Sequence, residues 1–344
     1  MKDKLCRKKR WGMALLSAVT ALALAGCQTG SGAESTSPPP ESSDENPFSS
    51  ELQNGEEVMF SYGFGLVSPE ADTNMVYDGQ PIQAECFVDN TGAAMNVGIL
   101  IFVDGIPQPY KVGDEAESYM HIHEAPAMQK NTFSFSFTPV SGKKGESMSV
   151  RFLSILNPQT RPDKPTYIFG HTGAMTTFFP RTLEIQQDVP TASPSYPKLP
   201  TQRAMTEEEI EQVIYTNSRG QAINELNTFN LFVEDTYRSE DNCIDATDGT
   251  FTVEVQAYGG PATDYVLIPY INYVPVTTGE FPGILTIQEG KTIFREEFTL
   301  DVSKLDKEAY HLERYNTFHM LAVPVDGNTM LDPAKSQSWV LELE

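Results

Sequence analysis

From Glu57 onward the chain is written in short apolar runs separated by turn residues, the pattern of β-strands rather than helices. Phe133-Ser-Phe135-Ser-Phe137 alternates strictly, so one face is aromatic and the other polar. Met148-Ser-Val150-Arg-Phe152 alternates in the same way after the Gly142-Lys-Lys-Gly145 turn. Val97–Val103 is apolar throughout and ends at Asp104-Gly105, a strong hairpin signal, and Asp78-Gly79 precedes another strand over Ile82–Val88. Later candidates are Phe229–Val233, Thr250–Ala257, Tyr265–Val274, Ile284–Ile287, Thr292–Leu300, Thr317–Val325 and Ser338–Leu343, with turns at Asp248-Gly249 and Asp326-Gly327.

Pro190, Pro194, Pro197 and Pro200 interrupt this series between Gln187 and Ala204, a spacing that excludes helix and strand and reads as a linker. Thr206-Glu-Glu-Glu209 then forms a capping box with acids at the positive end of a short helix, striped by Ile210, Val213 and Ile214. The expected class is all-β: two antiparallel β-sandwich domains, 55–187 and 206–344, joined by a linker over 188–205. The only helix stands near the start of the second domain. Phe133-x-Phe-x-Phe137-Thr138 and Phe294-x-x-x-Phe298-Thr299 each precede a loop and a strand closed by a proline, Pro158 or Pro324, which suggests that the halves are distant copies. The arrangement is similar to the tandem immunoglobulin-like modules of bacterial surface proteins, although no Cys…Trp…Cys core is present.

The first 54 residues obey different physics. Met1–Gly12 carries six basic side chains against Asp3, and Met13–Ala25 is an apolar run too short to span a bilayer. Leu24-Ala25-Gly26-Cys27 resembles the lipobox of bacterial lipoproteins. That resemblance implies a signal peptide over 1–26, a diacylglyceryl group on Cys27, and tethering to the extracytoplasmic face of a bacterial membrane. Residues 27–54 are rich in Ser, Pro and Glu and are expected to be a disordered tether with a reach of about 30 Å. Gln28 does not resemble the Asp that holds lipoproteins at an inner membrane.

Charge narrows the partners. The chain holds 24 Lys+Arg against 47 Asp+Glu, a net of −23. Loss of residues 1–26 leaves 18 basic and 46 acidic side chains, a net of −28. Such a surface repels phosphate backbones, so nucleic acid is not an expected partner. Of four cysteines, Cys6 leaves with the peptide, Cys27 is the lipid site, and Cys86 and Cys243 are expected as buried thiols.

Candidate chemistry is sparse. His121-Ile-His123 places two imidazoles on one strand face, and His171 or Glu124 could complete a zinc site; two polar side chains on a half-exposed strand are the plainer alternative. Glu240-Asp241-Asn242…Asp245…Asp248-Gly249 gathers oxygen ligands for calcium without the EF-hand order, and solvated turn residues with Asp248-Gly249 as a hairpin are the plainer alternative. Tyr265 and Tyr273 share strand parity and offer a sugar-stacking platform, with core packing as the alternative. Gly290-Lys291-Thr292 imitates the end of a phosphate loop, but the required upstream Gly is Leu285. No nucleophile elbow or dinucleotide fingerprint occurs. The expected function is therefore non-catalytic binding, adhesion or scaffolding at the cell envelope, toward a protein or glycan, with no required cofactor. The alternatives are a metal-dependent envelope enzyme and a carbohydrate-binding surface module.

Overall fold

The computed structural model describes residues 61–70, 73–164, 175–177, 180–190, 194–235, 243–277, 280–325 and 331–344. All belong to one compact unit, Pro47–Glu344. The lipobox, Cys27 and the tether, together with His171, Glu240, Asp241, Asn242 and the Asp326-Gly327 turn, lie outside the described residues.

The first half runs β1 (Tyr62–Ser68), β2 (Met75–Tyr77), β3 (Ile82–Asn90), β4 (Met95–Val103), β5 (Ile106–Gln108) and β6 (His121–Ala125). It closes with β7 (Gln129–Phe137), β8 (Ser147–Leu156), β9 (Met175–Thr177) and β10 (Arg181–Ile185). Next come β11 (Arg203–Ala204), α1 (Glu207–Val213), β12 (Ile214–Thr216) and β13 (Ala222–Asn224). The second half continues with β14 (Asn230–Asp235), β15 (Cys243–Asp245), β16 (Thr250–Tyr258), β17 (Thr263–Ile271) and β18 (Val274–Pro275). It ends with β19 (Gly283–Ile287), β20 (Thr292–Asp301), β21 (Tyr315–Pro324), β22 (Ala334–Lys335) and β23 (Trp339–Glu342). The chain is thus mostly β, as the alternation predicts.

One sheet of the first half has the order β1-β3-β7, and the other β2-β10-β8-β4-β5, with β6 on β4 and β9 on β8. The second half repeats this as β14-β16-β20, extended by β11, and β15-β23-β21-β17-β18, with β19 on β17 and β22 on β21. Register repeats as well: Val97 faces Leu156 in one half, and Tyr265 faces Pro324 at the same place in the other. Pro324 therefore corresponds to Leu156 and not to Pro158. Each half also contains one parallel pair, β10 with β2 and β23 with β15, where sequence suggested only antiparallel strands.

Each half has its own apolar core between its two sheets. Cys86, Ile99, Phe135 and Phe152 belong to the first, and Val253, Leu267, Phe318 and Leu341 to the second. Cys86 and Cys243 are both buried thiols. The capping box forms as read: Thr206 Oγ1 accepts from the Glu209 amide at 3.2 Å, and the Glu209 carboxylate accepts from the Thr206 amide at 2.8 Å. Glu209 also takes Arg203, at 2.7 Å, and this hydrogen bond pulls its pKa down to about 2.

The proline-rich segment is less of a linker than its composition implies. The Leu199 amide donates to Ile284 O, the Met205 amide donates to Lys291 O, and Leu199 enters the second core. Arg203 and Ala204, beyond the last proline, regain the amides needed to pair as β11. Pro269 lies in central β17, between the stretch paired to β19 and the stretch paired to β18, where a missing amide leaves no gap in either ladder.

Candidate functional site

The histidine pair of β6 lies on one strand face, as read. His121 is buried: its Nε2 donates to Tyr110 O at 2.9 Å, and its Nδ1 meets Glu115 Oε2 at 2.7 Å. Both ring nitrogens are thus engaged by contacts within the protein rather than left free for a metal. Tyr110 fixes the arrangement by donating its hydroxyl to Ile99 O at 2.9 Å while accepting from the His121 amide at 3.0 Å. His123 stacks on Phe133, with centroids 3.7 Å apart, and burial lowers its pKa to about 4. Among the described residues no group of three His, Cys, Asp or Glu is placed to hold a metal ion. Zinc content is accordingly expected to be the same for the wild type and a His121→Ala/His123→Ala variant, measured by elemental analysis after zinc loading and desalting.

The described part of the acidic loop uses its oxygens locally. Asp245 Oδ1 accepts from the Thr247 amide and hydroxyl at 3.0 and 2.7 Å, and the amide bond leads in lowering its pKa. Asp248 Oδ1 accepts from the Thr250 amide at 3.2 Å. These are turn contacts, the simpler of the two readings.

The tyrosine platform does not form. Tyr265 and Tyr273 are both buried, as is Tyr270. Tyr265 points into the second core and stacks on Phe229 at 4.1 Å. Tyr273 lies past the end of β17, in a turn with positive φ at Asn272 and Tyr273, so strand parity no longer governs its direction. It enters a different apolar cluster.

That third cluster is what the tertiary structure assembles and the sequence reading missed. Leu100, Phe102, Leu153 and Ile155 of the first half pack with Val266, Ile268, Tyr270, Tyr273, Leu321 and Val323 of the second. The four strands involved, β4, β8, β17 and β21, are therefore covered on both faces. Arg151 shows the consequence. Alternation places it on a polar outer face, yet it is 1% exposed and donates from Nη1 to Leu331 O of the other half at 2.7 Å. His319 occupies the same place in β21. Its ring lies parallel to Tyr270 at 5.5 Å, and neither ring nitrogen has a partner among the described residues. Burial holds its pKa well below the ordinary value, and the nearby Lys335 adds to this. Lys335 donates to Ser338 Oγ at 2.7 Å, and desolvation brings its own pKa down to about 8.

Gly105 marks the closest approach across this seam. A Cβ there would lie 2.8 Å from Val266 Cγ2 and 3.1 Å from Val323 O, and its φ is +77°. Gly105→Ala is expected to cost about 2 kcal/mol or more, from left-handed strain plus overpacking against backbone, read as a lower urea midpoint.

No family model matches the chain, and no curated protein matches it. Three solved structures illustrate what it is similar to. A protein of unknown function from Porphyromonas gingivalis W83 is 11% identical, covers 82% of this chain and 99% of its own, and has a TM-score of 0.23. The CsuC-CsuE chaperone–tip adhesion subunit pre-assembly complex of Acinetobacter baumannii is 9% identical over 83% of this chain and 99% of that one, at 0.20. The Bacillus anthracis TIE protein is 9% identical over 86% and 57%, at 0.20.

Proposed function

We propose that this chain is a lipid-anchored envelope protein whose paired immunoglobulin-like β-sandwiches act as a non-catalytic binding or scaffolding body. The observation that carries this reading is the seam. It joins two separately cored halves through buried side chains, which suits a body that presents its loops at fixed spacing. The chemistry suggested by His121, Tyr265 and Tyr273 goes into packing and internal hydrogen bonds, which favours binding over a metal enzyme or a sugar platform. The Leu24–Cys27 motif ahead of a Ser/Pro/Glu-rich segment supports membrane attachment through acyl chains. No helix among the described residues is long and apolar enough to cross a membrane.

Two measurements test the reading. In the source cells the intact protein is expected in the detergent phase of a phase-partition assay, and Cys27→Ser in the aqueous phase or the medium. Retention of Cys27→Ser with the membrane would refute lipid anchoring. Residues 55–344, used as bait in crosslinking capture on the envelope fraction, are expected to enrich one protein or glycan that excess unlabelled bait competes away. Failure to enrich any competed species would count against the binding role.

A further inference from the structure

The two halves treat their strand edges differently. In the second half the outer side of β20 is covered by β11, with Arg203 pairing Ile293 and Ala204 pairing Thr292. The free side of β14 is blocked at its middle. There Val233 O accepts from the Trp339 indole at 3.1 Å, and the Val233 amide donates to Gln337 Oε1 at 3.4 Å. In the first half β7 stands where β20 does, at the end of the order β1-β3-β7, and in that sheet only β3 lies beside it. A single bridge covers one end of its outer side: Ser136 exchanges both backbone hydrogen bonds with Lys111, each at 2.9 Å.

That bridge fixes which groups of β7 are open. Backbone groups alternate sides along an antiparallel strand, so the amides and carbonyls of Ser134, Thr132 and Lys130 point as those of Ser136 do, away from β3. Among the described residues no strand meets them, and all three residues are exposed. Met128, with φ at 55°, ends the strand on the other side. Register with β3 is unbroken from Gln129 to Phe137, and the strand holds no proline. A regular edge of this kind is a template for another strand.

We propose that a second copy of this chain covers this edge, the two β7 strands pairing antiparallel about a two-fold axis at Thr132. Register favours this occupant. Lys130 then faces Ser134 of the second copy and Thr132 faces Thr132, so every open amide meets an open carbonyl. Charge favours it as well. The net charge of −23 opposes approach through most of the surface, whereas β7 carries Lys130 and no acid. Lys130 lies over the Phe87 ring, 4.0 Å from its centroid, and its ammonium pairs with no carboxylate among the described residues. Ser134 stands beside Glu85 of β3. The small Ser134 side chain therefore leaves Lys130 of one copy a path to Glu85 of the other. The two strand spacings between them, about 10 Å, lie within the combined reach of the two side chains. Pairing joins the two β1-β3-β7 sheets into one continuous sheet.

The test uses residues 55–344, which contain both apolar cores and every described residue. Sedimentation velocity at rising concentration is expected to show a growing dimer fraction. Thr132→Pro removes one open amide and no ladder bond, because that amide points away from β3. It is expected to weaken association at least ten-fold. A wild type that stays monomeric at every concentration overturns the proposal, and so does a dimer that Thr132→Pro leaves intact. Where the proline variant fails to fold, cysteines read the register instead, with the native Cys86 and Cys243 both buried. Thr132→Cys sets two thiols at the axis, where paired Cα atoms about 5.5 Å apart suit a disulfide. Lys130→Cys leaves its two thiols four residues apart along the strands, about 13 Å. On oxidation Thr132→Cys is expected to give at least ten-fold more covalent dimer than Lys130→Cys, and equal yields overturn the proposal.

Discussion

Phe102→Ala is expected to destabilise the folded unit by about 3–5 kcal/mol, the usual cost of emptying a fully packed aromatic site. Phe102 is wholly buried in the seam and belongs to neither half's own core. Its loss should therefore register on the far side of the molecule. Residues 55–344 contain one tryptophan, Trp339, whose indole donates to Val233 O at 3.1 Å within the second half. The urea midpoint reported by Trp339 fluorescence is expected to fall in Phe102→Ala, although the substitution lies in the first half. Phe152→Ala supplies the contrast, because Phe152 sits in the first core. It should lower the far-ultraviolet dichroism midpoint more than the Trp339 midpoint. An unchanged Trp339 midpoint in Phe102→Ala would show that the halves are thermodynamically independent.

Acidification gives the second large effect. His123 and His319 are held neutral by burial, with pKa values lowered to about 4 for His123 and well below the ordinary value for His319. In the unfolded chain both titrate near 6.5. Below that pH the unfolded state binds protons that the folded state refuses, so stability falls with pH. His123 alone accounts for a loss of up to about 3 kcal/mol between pH 6.5 and pH 4, below which both of its states are protonated. His319 continues the fall to lower pH. The groups around His319 offer its imidazolium no compensation. Tyr270 and Tyr273 stay neutral, with pKa values raised by burial, and Lys335 repels a second positive charge. Urea midpoints between pH 7 and pH 4 should drop steadily in the wild type and flatten in His123→Gln/His319→Gln. Equal slopes in the two proteins would remove these histidines as the cause.

Much of the architecture was legible because strand alternation and turn chemistry are local. Asp104-Gly105, Asp78-Gly79 and Asp248-Gly249 occur at turns, and the glycine of each has positive φ. The capping box formed with both of its bonds. The candidate sites fared differently. His121 and His123 share a face as parity requires, but sequence could not show that Glu115 and the Tyr110 carbonyl would occupy the ring of His121. Tyr265 and Tyr273 were linked by parity across a stretch that the Asn272-Tyr273 turn breaks.

A readable signal of the seam was nevertheless present. Val97–Val103, Arg151–Leu156, Tyr265–Ile271 and Phe318–Val323 are nearly continuous apolar runs, whereas Phe133–Phe137 alternates. Continuous runs mark strands covered on both faces. An arginine or histidine inside such a run is a candidate for a buried polar contact rather than a solvated face.

The sequence by itself determined the strand-rich class, the turns, the capped helix and the acidic charge, since each depends on residues within a few positions of one another. Only the tertiary structure decided which faces meet. The outward faces of β4, β8, β17 and β21 become interior because the two halves turn those faces toward each other. That choice depends on complementarity between residues far apart in the chain, such as Gly105 against Val266, which no local pattern records.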